Sequence, residues 1–250
     1  MTRALLSTAD PIAIAHRGGA KLRPENTLAA FDHAVSLGVA ACECDVHLSS
    51  DDEVVVIHDA TLDRTTKARG SVSARTAREL AEVGVPRLAD LLDRHRGTEW
   101  IVEIKGERPD LAERTVRVLR DVRAVDRVLI GSFSQVSLDA VRRAAPEVAT
   151  GASSREARAA ARRALVRWPW GRPPFQALQV PFRVRGREVF GEAFVRHARG
   201  ASIAVHVWVV DDPSDMRRLL SWGVTGLISD RPDIAMREIS ARAARGSPPR

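Results

Sequence analysis

Short runs of β-branched residues alternate with segments of helical periodicity along the chain, and this alternation confines it to the α/β architectures. Residues 12–14 open the first apolar run, which leads into His16-Arg17-Gly18-Gly19. Residues 27–37 read as a helix with Leu28, Phe31, Ala34 and Val35 on one face, and Gly38 marks its end. Residues 41–48 read as the second strand, with 54–57 as an extension of the same unit. Strands at 100–105, 127–133, 148–152, 176–182, 202–210 and 226–229 follow, each trailed by a helical stretch. Eight strand–helix units in 250 residues is the stoichiometry of a (β/α)8 TIM barrel; a doubly wound open sheet shares the alternation and is the alternative. Residues 61–86 are too long for an ordinary βα loop. They read as a small insertion over the mouth, about 60–86, within a single domain spanning 1–250.

The polar residues of these strands are concentrated at C-terminal ends: His16-Arg17, Glu43-x-Asp45, His58-Asp59, Glu103-x-Lys105, Ser132, Gln179 and Asp230. In a barrel those ends converge on one face, where active sites form. Glu43 and Asp45 are two apart, so both carboxylates face one side of their strand, opposite Cys42 and Cys44. Two carboxylates directed into a barrel need a counter-charge. A hard divalent cation supplies it through oxygen ligands, with Glu103 as a natural third ligand; a salt bridge with Arg17 or Lys105 is the alternative. Because Glu103 and two histidines lie at equivalent depth, the metal reading is preferred. Lys105 shares the face of Glu103 and is one of only three lysines, with Lys21 and Lys67, among 39 basic residues. A compact point charge there suits a phosphate oxygen or the carboxylates. His16 and His58 end separate strands, and each could transfer protons near neutral pH. His47 continues the Glu43/Asp45 face as a lesser candidate, His206 lies deeper and reads as core, and His33, His95 and His197 receive no role.

The formal charge of +7 is carried mostly by scattered arginines, and a small anionic substrate, a nucleic acid or an anionic membrane would each suit it. Five Trp, six Phe and no Tyr make no stacking platform for single strands, so no nucleic-acid partner is expected. Cys42 and Cys44 are too close in sequence for an easy bridge and lack a second pair for zinc, so both are expected as buried thiols. Residues 1–11 lack an apolar signal core, and no apolar run approaches ~20 residues; a cytoplasmic protein is expected. The segment Arg167-Trp168-Pro169-Trp170-Gly171-Arg172-Pro173-Pro174 sets two tryptophans among arginines, the composition of a peripheral contact with an anionic membrane. A Pro-rich surface connection covering the barrel's edge is the competing reading.

The chain resembles the glycerophosphodiester phosphodiesterase family. The resemblance rests first on Ala15-His16-Arg17-Gly18-Gly19 and Pro24-Glu25-Asn26-Thr27-Leu28-Ala29-Ala30-Phe31. Glu43-Cys44-Asp45-Val46-His47-Leu48, Val56-Ile57-His58-Asp59, Thr61-Leu62-Asp63-Arg64-Thr65-Thr66, Pro86-Arg87-Leu88 and Glu103-Ile104-Lys105 follow in the family's order. So do Ser132-Phe133, Val207-Trp208 and Gly226-Leu227-Ile228-Ser229-Asp230-Arg231-Pro232. The resemblance covers nearly the whole chain and is most specific in the first sixty residues. It implies a (β/α)8 barrel with a small insertion, and hydrolysis of glycerophosphodiesters to an alcohol and glycerol 3-phosphate. It implies His16 and His58 as the general acid/base pair, and Glu43, Asp45 and Glu103 as ligands of calcium or magnesium. Arg17 and Lys105 match phosphate-contacting cations, Glu25 and Asn26 supporting loop residues, and Trp208 an aromatic lining the substrate pocket. One departure stands out: where the family often shows Trp-Thr-Val-Asn, this chain reads Trp208-Val209-Val210-Asp211. The lost hydroxyl and amide are expected to alter how the head group or leaving group is held. Two rival functions accompany this reading: a phospholipase D-like diesterase acting on lysophospholipids at a membrane surface, and a catalytically inactive barrel that binds polyanions.

Overall fold

The structure, a computed structural model, describes residues 4–166, 168–169 and 171–246. Its first strands are β1 (Ile12–His16), β2 (Ala41–Leu48) and β3 (Val54–Val56), with helix α1 (Leu28–Ser36) after β1. Helices α2 (Ala77–Glu82) and α3 (Leu88–Arg94) precede β4 (Glu99–Ile104). Then come α4 (Pro109–Asp121), β5 (Val128–Gly131), α5 (Gln135–Ala144), β6 (Ala149–Thr150) and α6 (Ser154–Leu165). The last part holds β7 (Ala177–Pro181), the short strands β8 (Arg183–Val184) and β9 (Arg187–Glu188), and α7 (Glu192–Gly200). It ends with β10 (Ala204–Trp208), α8 (Pro213–Trp222), β11 (Gly226–Ser229) and α9 (Pro232–Gly246).

Eight parallel strands run in the order β6-β5-β4-β2-β1-β11-β10-β7. The ends of that row meet through a parallel bridge between Gly151 and Ala177. The Gln176 N–H donates to the Thr150 carbonyl at 2.9 Å and the Ala152 N–H to the Ala177 carbonyl at 3.0 Å. The molecule is therefore a (β/α)8 barrel, as expected from the count of strand–helix units, and the open doubly wound sheet is set aside. At β6 the expected strand over 148–152 shrinks to two residues, because the ladder narrows where the barrel closes.

Alternation along each strand separates two kinds of burial. Outward residues such as Cys42, Cys44, Val46, Trp100, Val102 and Ile104 pack under the helices, where Phe31 meets the Trp100 ring edge-on at 5.1 Å. Inward residues Ile14, Ala41, Ile101, Leu129, Ala177, Ala204 and Ile228 form one layer inside the barrel, with Leu5 beneath it. Leu5 is held there by its own backbone: its N–H and that of Ala4 donate to the Glu99 carboxylate at 2.9 Å. The Leu5 carbonyl accepts from His206 Nε2 at 2.8 Å. His206 is thus a buried core histidine, as expected from its depth.

Residues 54–57 do not simply extend the second unit. The chain reverses at Ser49–Glu53, where the Ser49 N–H donates to the Glu53 carbonyl at 3.0 Å and Asp52 takes φ 62°. β3 then pairs antiparallel with β2. The segment that follows packs a small core of its own from Val55, Ile57, Leu62, Val72, Leu80 and Val85. Helix α2 within it begins on a reciprocal Thr76/Glu79 cap, which satisfies otherwise orphaned donors of a short helix.

Candidate active site

The site follows from the inward rhythm of three adjacent strands. Two residues above the buried layer, Ile14 gives way to His16, Ala41 to Glu43 and then Asp45, and Ile101 to Glu103. Register then sets His16 beside Glu43 and Asp45 beside Glu103. The three carboxylates offer oxygens within 4.8 Å of one another, on the floor of a cavity of about 570 Å³ at the C-terminal end of the barrel. His16, Arg17, His58, Lys105 and Trp208 line the same cavity, as do Ser132 and Gln179. Thus every residue expected at the centre of the site is brought together there, with Glu25 and Asn26 immediately behind. Gln179 fits inside the barrel because glycines stand at the end of β5 and just after β6. A Cβ on Gly131 or Gly151 would fall 2.7 Å or 2.5 Å from its side-chain oxygen.

The turn after β1 is left-handed at three successive residues, Arg17 (φ 52°), Gly18 (φ 83°) and Gly19 (φ 89°). Glycine is at ease in that region, whereas Arg17 bears strain, and such strain clusters at functional sites. Gly18 has a second reason to lack a side chain: a Cβ there would lie 2.7 Å from that of Ala30 on α1. The turn aims the Arg17 backbone N–H at Glu43 Oε2 (3.0 Å) and its guanidinium at Glu25 (2.9 Å). Arg17 Nε also lies 3.1 Å from Asp45 Oδ2, too poorly aligned for a hydrogen bond. Asn26, buried and itself left-handed (φ 57°), donates to that same Asp45 oxygen at 2.9 Å.

The charges are unevenly matched. Lys105 Nζ sits between Asp45 (2.6 Å) and Glu103 (2.5 Å). Burial opposes ionisation of Asp45, but Lys105 and Arg17 overcome it and hold its pKa below the usual range. Burial likewise opposes the charge on Lys105, and Asp45 and Glu103 outweigh it and raise its pKa. The salt bridges considered as the alternative for Asp45 are therefore present. Glu43 is different. Among the described residues it has only the Arg17 backbone N–H and, at 3.9 Å, His16 Nε2. Burial first, then the neighbouring Asp45, push its pKa upward. A buried carboxylate next to two others, with no cation of its own, fits a further positive ion. The all-oxygen donor set fits a hard one.

Both histidines have a carboxylate on Nδ1. His16 Nδ1 lies 2.7 Å from Asp230 and His58 Nδ1 lies 2.6 Å from Asp59. Burial lowers the pKa of His16, but the Asp230 hydrogen bond and the Glu43 charge reverse this and raise it. Asp59 is in turn held by Arg64, whose hydrogen bonds place its carboxyl well below the ordinary range against the cost of burial. Arg64 also donates twice to Glu25 at 2.8 Å, so the insertion is tied to the β1 turn through Glu25. His47 takes no place in the cavity; its Nε2 donates to the His58 carbonyl at 3.0 Å.

The sequence model of the glycerophosphoryl diester phosphodiesterase family matches residues 16–234. The chain belongs to the glycerophosphoryl diester phosphodiesterase family. A glycerophosphodiester phosphodiesterase of Caldanaerobacter subterraneus is 30% identical over 89% of this chain and 95% of its own length. Among solved structures, a glycerophosphodiester phosphodiesterase from Agrobacterium tumefaciens superposes with a TM-score of 0.73 at 26% identity, covering 91% of this chain and 99% of that one. A phosphodiesterase from Oleispira antarctica, in complex with the product sn-glycerol-3-phosphate, gives a TM-score of 0.76 at 25% identity, covering 92% and 97%.

In this member of the phosphodiesterase family the departure at 208–211 acts away from the cavity. Neither Val209 nor Asp211 lines it. Asp211 Oδ1 accepts from Ser229 Oγ (2.8 Å) and the Asp230 N–H (2.9 Å), and Oδ2 accepts from Lys21 (2.8 Å). Asp211 therefore fixes the turn that carries the partner of His16, rather than a head group. Trp168 and Pro169 do not line the cavity, although Ser154, Ala157, Arg158 and Ala161 of the preceding helix α6 do. Trp168 is 64% exposed, with its carbonyl accepting from His197 at 3.0 Å; Trp170 lies outside the described residues. Among the described residues no helix is long and apolar enough to cross a membrane.

Proposed function

We propose that the chain hydrolyses glycerophosphodiesters to an alcohol and glycerol 3-phosphate, with His16 and His58 as its acid/base pair. The carrying observation is the gathering of both histidines, three carboxylates and Lys105 around one cavity. The product named for the Oleispira antarctica neighbour supports the same substrate class.

Glu43, Asp45 and Glu103 would hold a calcium or magnesium ion, which when bound supplies Lewis-acid stabilisation of phosphoryl charge. Lys105 and Arg17 contribute fixed positive charge beside the same oxygens. The Nδ1 of each histidine is committed to a carboxylate, which leaves Nε2 as the atom that exchanges a proton with the reactants. One histidine takes the proton of the attacking water, and the new P–O bond forms as the bond to the alcohol breaks. The other returns a proton to the leaving alcohol oxygen. Glu25 and Asn26 hold Arg17 and Asp45 in place, and Trp208, edge-on to Phe133 at 5.8 Å, bounds the substrate.

Release of glycerol 3-phosphate from glycerophosphocholine, with calcium, magnesium or chelator, tests this. His16→Ala and His58→Ala should each reduce turnover about 10²- to 10⁴-fold with an unchanged unfolding midpoint. Chelation should abolish activity, and re-addition of calcium and magnesium separately identifies the ion. Near-normal turnover in His16→Ala, or full activity after chelation, would overturn the proposal.

A further inference from the structure

Helix α6 inverts the usual placement of apolar side chains. Against the molecule it sets alanines: Ala160 is buried, and Ala157, Ala161 and Ala164 pack beside it on the same core. These positions recur at the spacing of a helix's inward stripe. The large apolar side chains come at its end and are left outside. Leu165 is 84%, Val166 72% and Trp168 64% exposed, so folding gains little from them. This exposure is built into the fold. The Trp168 N–H donates to the Arg163 carbonyl at 2.9 Å, and the Trp168 carbonyl accepts from His197 of α7 at 3.0 Å. The backbone is thus pinned on both sides with the ring in solvent. A connection in which Trp168 covers the barrel's edge is therefore set aside.

The charge around this patch selects its partner. Between Glu156 and Glu188 the chain holds eight arginines and no acid. Arg162 and Arg172 are exposed and have no carboxylate partner among the described residues. Arg196 and Arg199 of α7, which packs beside α6, are exposed as well, the former paired with Glu192. A hollow of about 660 Å³ lies between Ala164 of α6 and Ala193 of α7, edged by Pro169, Gly171, Arg196 and His197. Unpaired guanidinium groups attract an anionic surface, and an aliphatic and indole cluster among them gains only from a surface with an apolar interior. A nucleic acid offers the first without the second. We propose that the end of α6 and Trp168 dock this protein on a bilayer containing anionic lipids. Leu165, Val166 and the Trp168 indole enter at head-group depth, with Arg162 and Arg172 beside the lipid phosphates. None of these side chains lines the catalytic cavity, so docking and chemistry are separable.

Co-sedimentation with vesicles tests the surface. The full chain should pellet with equimolar phosphatidylcholine and phosphatidylglycerol, and stay in solution with phosphatidylcholine alone. Raised salt should weaken the binding, because it screens the arginines. The paired change Leu165→Ser and Trp168→Ser should lower the affinity about tenfold or more, through the apolar area withdrawn. Arg162→Glu with Arg172→Glu should lower it as well. Glycerophosphocholine turnover and the unfolding midpoint should be unchanged in both variants, since all four positions are exposed and outside the cavity. Quenching of tryptophan fluorescence by lipids brominated along the acyl chain should fall in Trp168→Phe. No binding, equal binding to the two kinds of vesicle, or undiminished binding in either paired variant overturns the proposal. So does a concentration-dependent dimer in analytical ultracentrifugation that the serine variant abolishes while vesicles stay unbound; the patch is then a contact between two copies of the chain.

Discussion

Asp211 shows how one side chain can govern a site it never touches. Its Oδ1 gathers the Ser229 hydroxyl and the Asp230 N–H, and Asp230 holds His16. An amide oxygen accepts the same two bonds, so Asp211→Asn should keep near-normal turnover and lose only the Lys21 pair. Asp211→Ala leaves the turn unanchored and should lower kcat by about 10- to 100-fold, since displacements near 1 Å cost that much; steady-state kinetics on both variants decides. Gly18 is constrained twice, by its positive φ and by Ala30. Gly18→Ala should destabilise the fold by about 1–3 kcal/mol in urea unfolding and reduce activity with it. The site's centre was legible in the sequence because its residues sit in short motifs at strand ends. The service of Asp230 to His16 was not, because 214 residues separate them and only the pairing of the first strand with the last makes β1 and β11 neighbours.

At the level of elements, the long regular strands and helices read correctly because burial on two faces leaves a strong pattern. Residues 41–48 and 226–229 form the strands expected, and the helix expected over 27–37 forms as Leu28–Ser36. The β8–β9 hairpin left no such pattern: its strands have two exposed residues each, around Arg185 and Gly186. The apolar run at 54–57 could not reveal its own direction; the Ser50-Asp51-Asp52-Glu53 stretch before it was the available turn signal. The insertion was visible from its length alone, but its link to the chemistry runs through Arg64, which joins Asp59 to Glu25. Arg64→Ala should leave the unfolding midpoint within a degree or two and reduce kcat about tenfold or more. Arg64→Lys, which cannot fork to both carboxylates, should recover only part of the loss.

For the whole molecule, His206 links the stoppered end of the barrel to pH. Burial depresses its pKa to about 4 from 6.5, so the unfolded chain binds a proton that the folded chain refuses. Stability from this group is complete above about pH 6.5 and is lost as pH falls toward 4. Between pH 7 and pH 5 the loss is about 2 kcal/mol. Urea unfolding at the two pH values should show it, and His206→Gln should remove that increment from the pH dependence. The net charge of +7, by contrast, explains little at this scale. Its arginines are scattered over helices and loops, and a number of them are paired, as Arg94 with Asp32 and Arg120 with Glu147 are.

The cavity draws on different stretches of chain: its carboxylates and histidines are all in place by Glu103, whereas its aromatic side chains begin at Phe133. No residue serves both. Mutation can therefore rewrite residues 183–194 and change which molecules are accepted, while the groups that break the bond pass unaltered from one generation to the next. A lineage built on this barrel can diversify its diet without reinventing its teeth.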